Sequence, residues 1–197
     1  MLASASPARL RVLRDAGLDP EVQVSGVPEE GLDHLAPDAI AGILADRKAA
    51  TVAERLRSEE RYARAIVVGC DSVFDLDGKP LGKPDDSRDA VTRWQQMRGR
   101  VGRLHTGHQV IDLAGGTSAG AVATTVVRFG CPDDAEIAAY VASGEPLPVA
   151  GAFTLDGRAS AFIDGIDGDP SNVIGLSMPL LRRLLAQLSV RITDLWC

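Results

Sequence analysis

The stretch that most constrains the fold is Ala65 to Pro84, AIVVGCDSVFDLDGKPLGKP. Its opening run, Ala65-Ile66-Val67-Val68, is apolar and rich in β-branched residues and is bounded by Gly69, so it reads as a buried strand. That strand delivers Asp71 to its C-terminal end. A second run, Val73 to Leu76, meets Asp77-Gly78, a pair suited to the two positive-φ positions of a type I′ turn. The chain is therefore expected to fold back as a hairpin. Counting outward pairs Leu76 with Lys79 and Asp75 with Pro80, and carries Lys83 opposite Ser72, beside Asp71. A carboxylate and an ammonium then share one end of one ribbon. In a regular pleat Asp71 and Ser72 point to opposite faces, so a bulge or the end of the ladder is needed to re-aim one of them. Pro80 and Pro84 lack N–H groups and favour an irregular edge.

A chain of 197 residues holds one α/β domain with a large core and is too short for two comfortable ones. The net charge of −6 argues against binding polymeric nucleic acid, which needs a basic field. Two local patches, Arg9-Arg11-Arg14 and Arg98-Arg100-Arg103, suit a small polyanion instead. Cys70, Cys131 and Cys197 are odd in number, far apart and without metal-type spacing, which points to a reducing cytoplasm. No run approaches the ~18 apolar residues of a membrane span, and no signal peptide is read. A soluble, cytoplasmic protein is expected.

Taken in order, Met1-Leu2-Ala3 starts a strand, and Ser4-Ala5-Ser6-Pro7 leads into a helix with Ser6 as N-cap and Pro7 as first residue, closed by Gly17 after Ala16. Strand, small-residue loop and helix aim free backbone N–H groups at one point, which suits phosphate, and Arg9 in the first turn adds a fork. On this motif alone a capped surface helix is the plainer alternative. Glu21 to Ser25 reads as a short strand, and Val27 to Asp38 as a polar loop carrying Glu29, Glu30 and Asp33. The helix from Pro37 to Arg57 has an apolar face of Ile40, Leu44, Ala45, Ala49, Val52 and Leu56, from which Lys48 projects. A lysine there either snorkels past the core edge or reaches into a site, and the site is the favoured reading.

Farther on, Asp86 to Met97 is an amphipathic helix. Val101–Leu104, Gln109–Leu113 and Ala121–Phe129 read as strands, joined through Gly107 and through Gly115-Gly116. His105 and His108 are taken as structural. Asp133 to Ser143 is a helix, the stretch Gly151 to Gly157 permits close backbone approach, Ala161 to Asp164 is a strand, and Gly168 to Asn172 is a loop. The last helix carries the stripe Leu180, Leu181, Leu184, Leu185 and Leu188.

Several segments together resemble the Maf family of nucleotide pyrophosphatases: LASASPAR at the start, LADRKAATVA around Lys48, VVGCDSV with LGKP in the centre, RLHTG at Arg103 to Gly107, and VAGAFTLDG followed by GIDGDPSNVIGLSMPLL. They stand in the family's order over nearly the whole chain. The resemblance implies a cytoplasmic enzyme that cleaves a nucleoside triphosphate to the monophosphate and pyrophosphate with a divalent metal, Mg²⁺, Mn²⁺ or Co²⁺. The implied fold is an elongated single α/β domain with a curved mixed sheet flanked by helices and a cleft, similar to inosine triphosphatases, and often dimeric. Carried over by motif, Asp71 activates water or holds the metal, Lys48, Lys83 and Arg9 bind phosphate, and Glu29 is a second residue for metal or substrate. Ser4 and Ser6 line the phosphate loop. Ala8, Ser72 and Asp156 occupy positions that separate a subfamily acting on dTTP and UTP from one acting on 7-methyl-GTP, and they match neither pattern. The expected substrate is a pyrimidine or modified nucleotide, and the preferred base is left open. The competing reading is a nucleotide-binding regulator of cell division with little turnover.

Overall fold

Asp77 and Gly78 hold positive φ values of 55° and 79°, as a type I′ turn requires, and join a long strand β1 (Ile66–Leu76) to a short one, β2 (Lys79–Leu81). The pairs Leu76↔Lys79 and Asp75↔Pro80 form as counted from the turn, followed by Phe74↔Leu81, where the ladder stops. Lys83 is therefore not opposite Ser72. The computed structural model describes residues 1–32 and 34–197, so Asp33, named among the loop carboxylates, lies outside the described residues.

Asp71 does not lie at a strand end. β1 runs unbroken through Gly69 and Asp71 and pairs with β3 (Val101–Asp112) from Ile66↔Asp112 to Asp75↔Arg103 without a register shift. No bulge re-aims Asp71, and it points to the opposite face from Ser72. β3 likewise runs straight through Gly107, where the sequence suggests a break. It turns at residues 113–116 into β4 (Thr117–Phe129), which pairs with β5 (Ile163–Asp167). The order β2-β1-β3-β4-β5 is antiparallel throughout, and parallel pairing among the described residues is confined to the bridges Leu2↔Val68 and Leu2↔Val22. The expected strand at Ala161–Asp164 starts later, because Arg158–Phe162 closes into a 3-10 turn.

Helices cover both faces. α1 (Pro7–Asp15) starts at the Ser6 cap, and α2 (Pro37–Leu56) is the long apolar helix read from the sequence. α3 (Ser87–Met97) and α4 (Asp134–Ala142) carry side-chain caps from Asp86 and Asp133. The expected loop at 168–172 instead contains a short helix, α5 (Pro170–Ile174), capped by Asp169, and α6 (Met178–Gln187) closes the core. Val67 and Val73 pack against α2, while Val68 and Cys70 pack against Leu180, Leu181, Leu184 and Leu185 of α6. Among the described residues no helix is long and apolar enough to cross a membrane.

His105 and His108 sit within β3 on opposite faces, and both have structural partners. His108 Nδ1 bonds Thr106 O at 2.9 Å, and its Nε2 accepts the Ser177 N–H at 2.8 Å, which fixes the start of α6. That acceptor role requires a neutral ring. Burial pushes the His108 pKa down to about 4, so its contribution to stability is fully present above the unfolded value near 6.5 and is lost as pH falls toward 4. Wild type is expected to lose about 2 kcal/mol from this group between pH 7.5 and pH 5, by denaturant titration. His108→Gln, less stable at neutral pH, should show a correspondingly flatter pH dependence; an equal slope would remove His108 as the cause.

Candidate active site

Ala3 N–H donates to Val68 O and Val68 N–H donates to Met1 O, after which the N-terminal segment leaves the sheet at Ser4. β2 covers the same edge of β1 only at residues 74–76. Between these two partners, residues 69–73 have no strand partner on that edge among the described residues. Side chains from both faces of β1 can reach this gap, so Asp71 and Ser72 can serve one site while pointing in opposite directions.

On one face, Asp71 meets Lys48 of α2. The helix backbone lies almost against the sheet there: a Cβ on Gly69 would stand 2.4 Å from Ala45 O, and one on Gly107, the cross-strand partner of Asp71, 2.1 Å from Ala41 O. This close approach lets a lysine on the apolar face of α2 extend its ammonium to the Asp71 carboxylate. The same Nζ donates to Glu29 Oε1 at 2.6 Å. One cation thus joins two carboxylates, with the Lys48 and Asp71 side chains 12% and 11% exposed and Glu29 60% exposed.

Burial pushes the Asp71 pKa up, against the opposing pull of the Lys48 and Arg9 charges and the Lys48 hydrogen bond. Burial also acts to raise Glu29, but the hydrogen bond and charge of Lys48, with the charges of Lys83 and Arg9, outweigh it and hold Glu29 below the ordinary carboxylate range. Lys83 is exposed, and its charge is felt at Glu29 although its expected pairing beside Asp71 is replaced by Lys48. Cys70, next in the chain, is fully buried, and burial pushes its thiol up to about 12, which removes it as a nucleophile.

On the other face, Arg9 is 9% exposed and has no carboxylate at ion-pair distance among the described residues. Its Nε donates to Gly175 O at 2.8 Å, Nη1 to Ser4 Oγ at 2.9 Å and Nη2 to Ser72 Oγ at 3.0 Å. Three of five guanidinium donors are engaged, all by neutral oxygens, so the positive charge is held in place and uncompensated. Ser4 Oγ also accepts the Ser6 N–H, and Ser6 Oγ accepts the Arg9 N–H as helix cap, so both serines organise the loop that starts α1. Asp156 pairs with Arg11, three residues along α1 from the half-buried Ala8; this spacing puts Ala8 on the side that Asp156 faces.

Sequence reasoning missed Thr106, Asn172 and Gly175. Thr106 Oγ1 bonds Ser72 Oγ at 2.9 Å and donates to Asn172 O at 3.3 Å, so Ser72 is braced between Arg9 and Thr106. Asn172 is wholly buried and its Nδ2 donates to Leu104 O, Ala123 O and Thr125 Oγ1. These contacts fix α5 on the sheet, and α5 in turn presents Gly175 O to Arg9. The signal was present in Asp169-Pro170, an N-cap followed by a proline at the first helical position.

The family model described as Maf-like protein matches residues 1–188. The chain is 62% identical over 196 residues to a nucleoside triphosphate pyrophosphatase of Streptomyces coelicolor, covering all of this chain and 93% of that protein. It is 59% identical to a protein of the same name in Streptomyces avermitilis, with the same coverage, and 53% identical to one in Salinispora tropica, covering 86% of it.

Proposed function

The chain belongs to the family of Maf-like proteins, and from that premise we propose that it is a nucleoside triphosphate pyrophosphatase, acting at the gap in the β1 edge. The observation that carries this reading is the convergence of Asp71, Glu29 and Lys48, with the charge of Arg9 acting on both carboxylates and that of Lys83 on Glu29.

Asp71 is the residue that accepts a proton from the attacking water. Its upward-shifted pKa moves its basicity toward the range where proton acceptance at neutral pH is effective. The new bond forms between water oxygen and the α-phosphorus, and the bond from that phosphorus to the α,β-bridging oxygen breaks. The bridging oxygen and its electron pair leave with pyrophosphate. Arg9, Lys83 and Lys48 neutralise the charge that gathers there, as phosphoryl transfer demands. The capped start of α1 adds its dipole at the same end.

Asp71 and Glu29 also suit a hard divalent cation. Their oxygens reach a single point, the Lys48 ammonium, and a magnesium-type ion takes one or two carboxylates and completes its shell with water and substrate phosphates. No cluster of three or more acidic, histidine or cysteine side chains suited to an all-protein cage occurs among the described residues, which fits that division of ligands. Such an ion would polarise the α-phosphoryl oxygen. Ala8 and Asp156 form the base-facing wall, and Ser72 acts on substrate through Arg9. The substrate class proposed on the family pattern is a pyrimidine or a modified nucleotide, and the small Ala8 leaves room at this wall for a different base.

A panel of common and modified nucleoside triphosphates, assayed with Mg²⁺, Mn²⁺ or Co²⁺, should yield monophosphate and pyrophosphate with a preference for one base class. Inorganic phosphate with a diphosphate product would refute the reading.

A further inference from the structure

Lys48 lies where its charge is needed only if nothing else supplies one. Its stem rises from the apolar face of α2 between Leu44, Ala45, Thr51 and Val52, and its side chain is 12% exposed. The ammonium contacts Asp71 and stands 2.6 Å from Glu29 Oε1. These are the two carboxylates read above as the metal-holding pair, and the inference rests on that reading. Without a cation between them, a largely buried Asp71 and a neighbouring Glu29 would repel, and an uncompensated buried carboxylate is costly.

We propose that Lys48 is a built-in stand-in cation, which neutralises the Asp71–Glu29 pair while the site lacks a divalent ion and must withdraw before one can bind. One positive charge against two negative ones leaves the pair under-neutralised, so a divalent ion can compete. Once withdrawn, the ammonium is free to take a phosphate oxygen, alongside Arg9, whose charge acts on both carboxylates, and Lys83, whose charge acts on Glu29. The exchange is therefore coupled to nucleotide: phosphate gives Lys48 somewhere to go, and metal in the absence of nucleotide competes against it. Glu29, 60% exposed on its loop, is the partner that can release Lys48 with least loss of packing. The device keeps the free enzyme from holding metal tightly until substrate arrives.

Calorimetric titration of nucleotide-free protein with Mn²⁺ tests this apart from turnover. Wild type should bind weakly, and Lys48→Met roughly tenfold or more tightly, since a like charge has been removed from the site. Adding Asp71→Asn to Lys48→Met should abolish the gain. Circular dichroism checks that each variant is folded, and Lys48→Gln, which keeps a polar head, replaces Lys48→Met if the latter is not. Equal or weaker Mn²⁺ binding in the folded Lys48 variant overturns the stand-in role while leaving the metal pair intact. Binding in no variant also overturns it, and repeating the titration with a non-hydrolysable nucleotide then decides the metal reading by itself.

Discussion

Asp71→Asn lowers kcat by about 10³-fold while nucleotide binding changes by only a few-fold. The substitution keeps the shape of the side chain and an acceptor for Lys48, but removes the ability to take a proton from water, a contribution typically worth 10²–10⁴-fold. Because Asp71 must be ionised to take that proton, the wild-type kcat profile should show an acid limb that belongs to it. Activity is present on the alkaline side of that limb and is lost as pH falls through it. In Asp71→Asn the residual rate should lose this limb. A variant within tenfold of wild type, with the limb unchanged, would reduce Asp71 to a structural partner of Lys48.

Gly107→Ala destabilises the protein by about 3 kcal/mol, at the upper end of what overpacking usually costs, and lowers Tm by roughly 6–12 °C. The added carbon would stand 2.1 Å from Ala41 O and 2.8 Å from Gly42 N, both backbone atoms of α2, so no side chain can swing aside. Either α2 lifts from the sheet or β3 bends. Both movements displace Lys48 from the site where it meets phosphate, so kcat should fall along with stability even at temperatures where the variant is folded. Gly82→Ala is the matched control: nothing lies within 4 Å of its added carbon, and its effect should stay within about 0.5 kcal/mol. Equal melting temperatures for the two variants would show that α2 is not held at this distance by the glycines.

These glycines also mark where sequence reading stops. A glycine in an apolar run signals punctuation locally, and Gly69 and Gly107 were read as strand boundaries on that ground. In the folded protein they are interior strand positions whose missing side chains admit a helix, a tertiary reason that no neighbour in sequence reveals. The turn at Asp77-Gly78 and the helix starts at Ser6-Pro7 and Asp133 were legible because caps and turns are satisfied by residues two to four positions away. Lys48 was legible as a site residue because it breaks an apolar stripe. Its pairing with Asp71 was not: the hairpin count set Lys83 beside Asp71 instead, since nothing local states that β2 ends at Leu81. The short helix α5 carried a readable cap, yet its purpose, holding Gly175 O beneath Arg9, depends on a contact 166 positions away in sequence.

The central claim, water attack at the α-phosphorus directed by Asp71, is tested most directly by turnover in ¹⁸O-labelled water with mass analysis of both products. The account predicts the label in the nucleoside monophosphate and none in pyrophosphate. Label in pyrophosphate, or release of labelled inorganic phosphate, would place the attack at another phosphorus and contradict it.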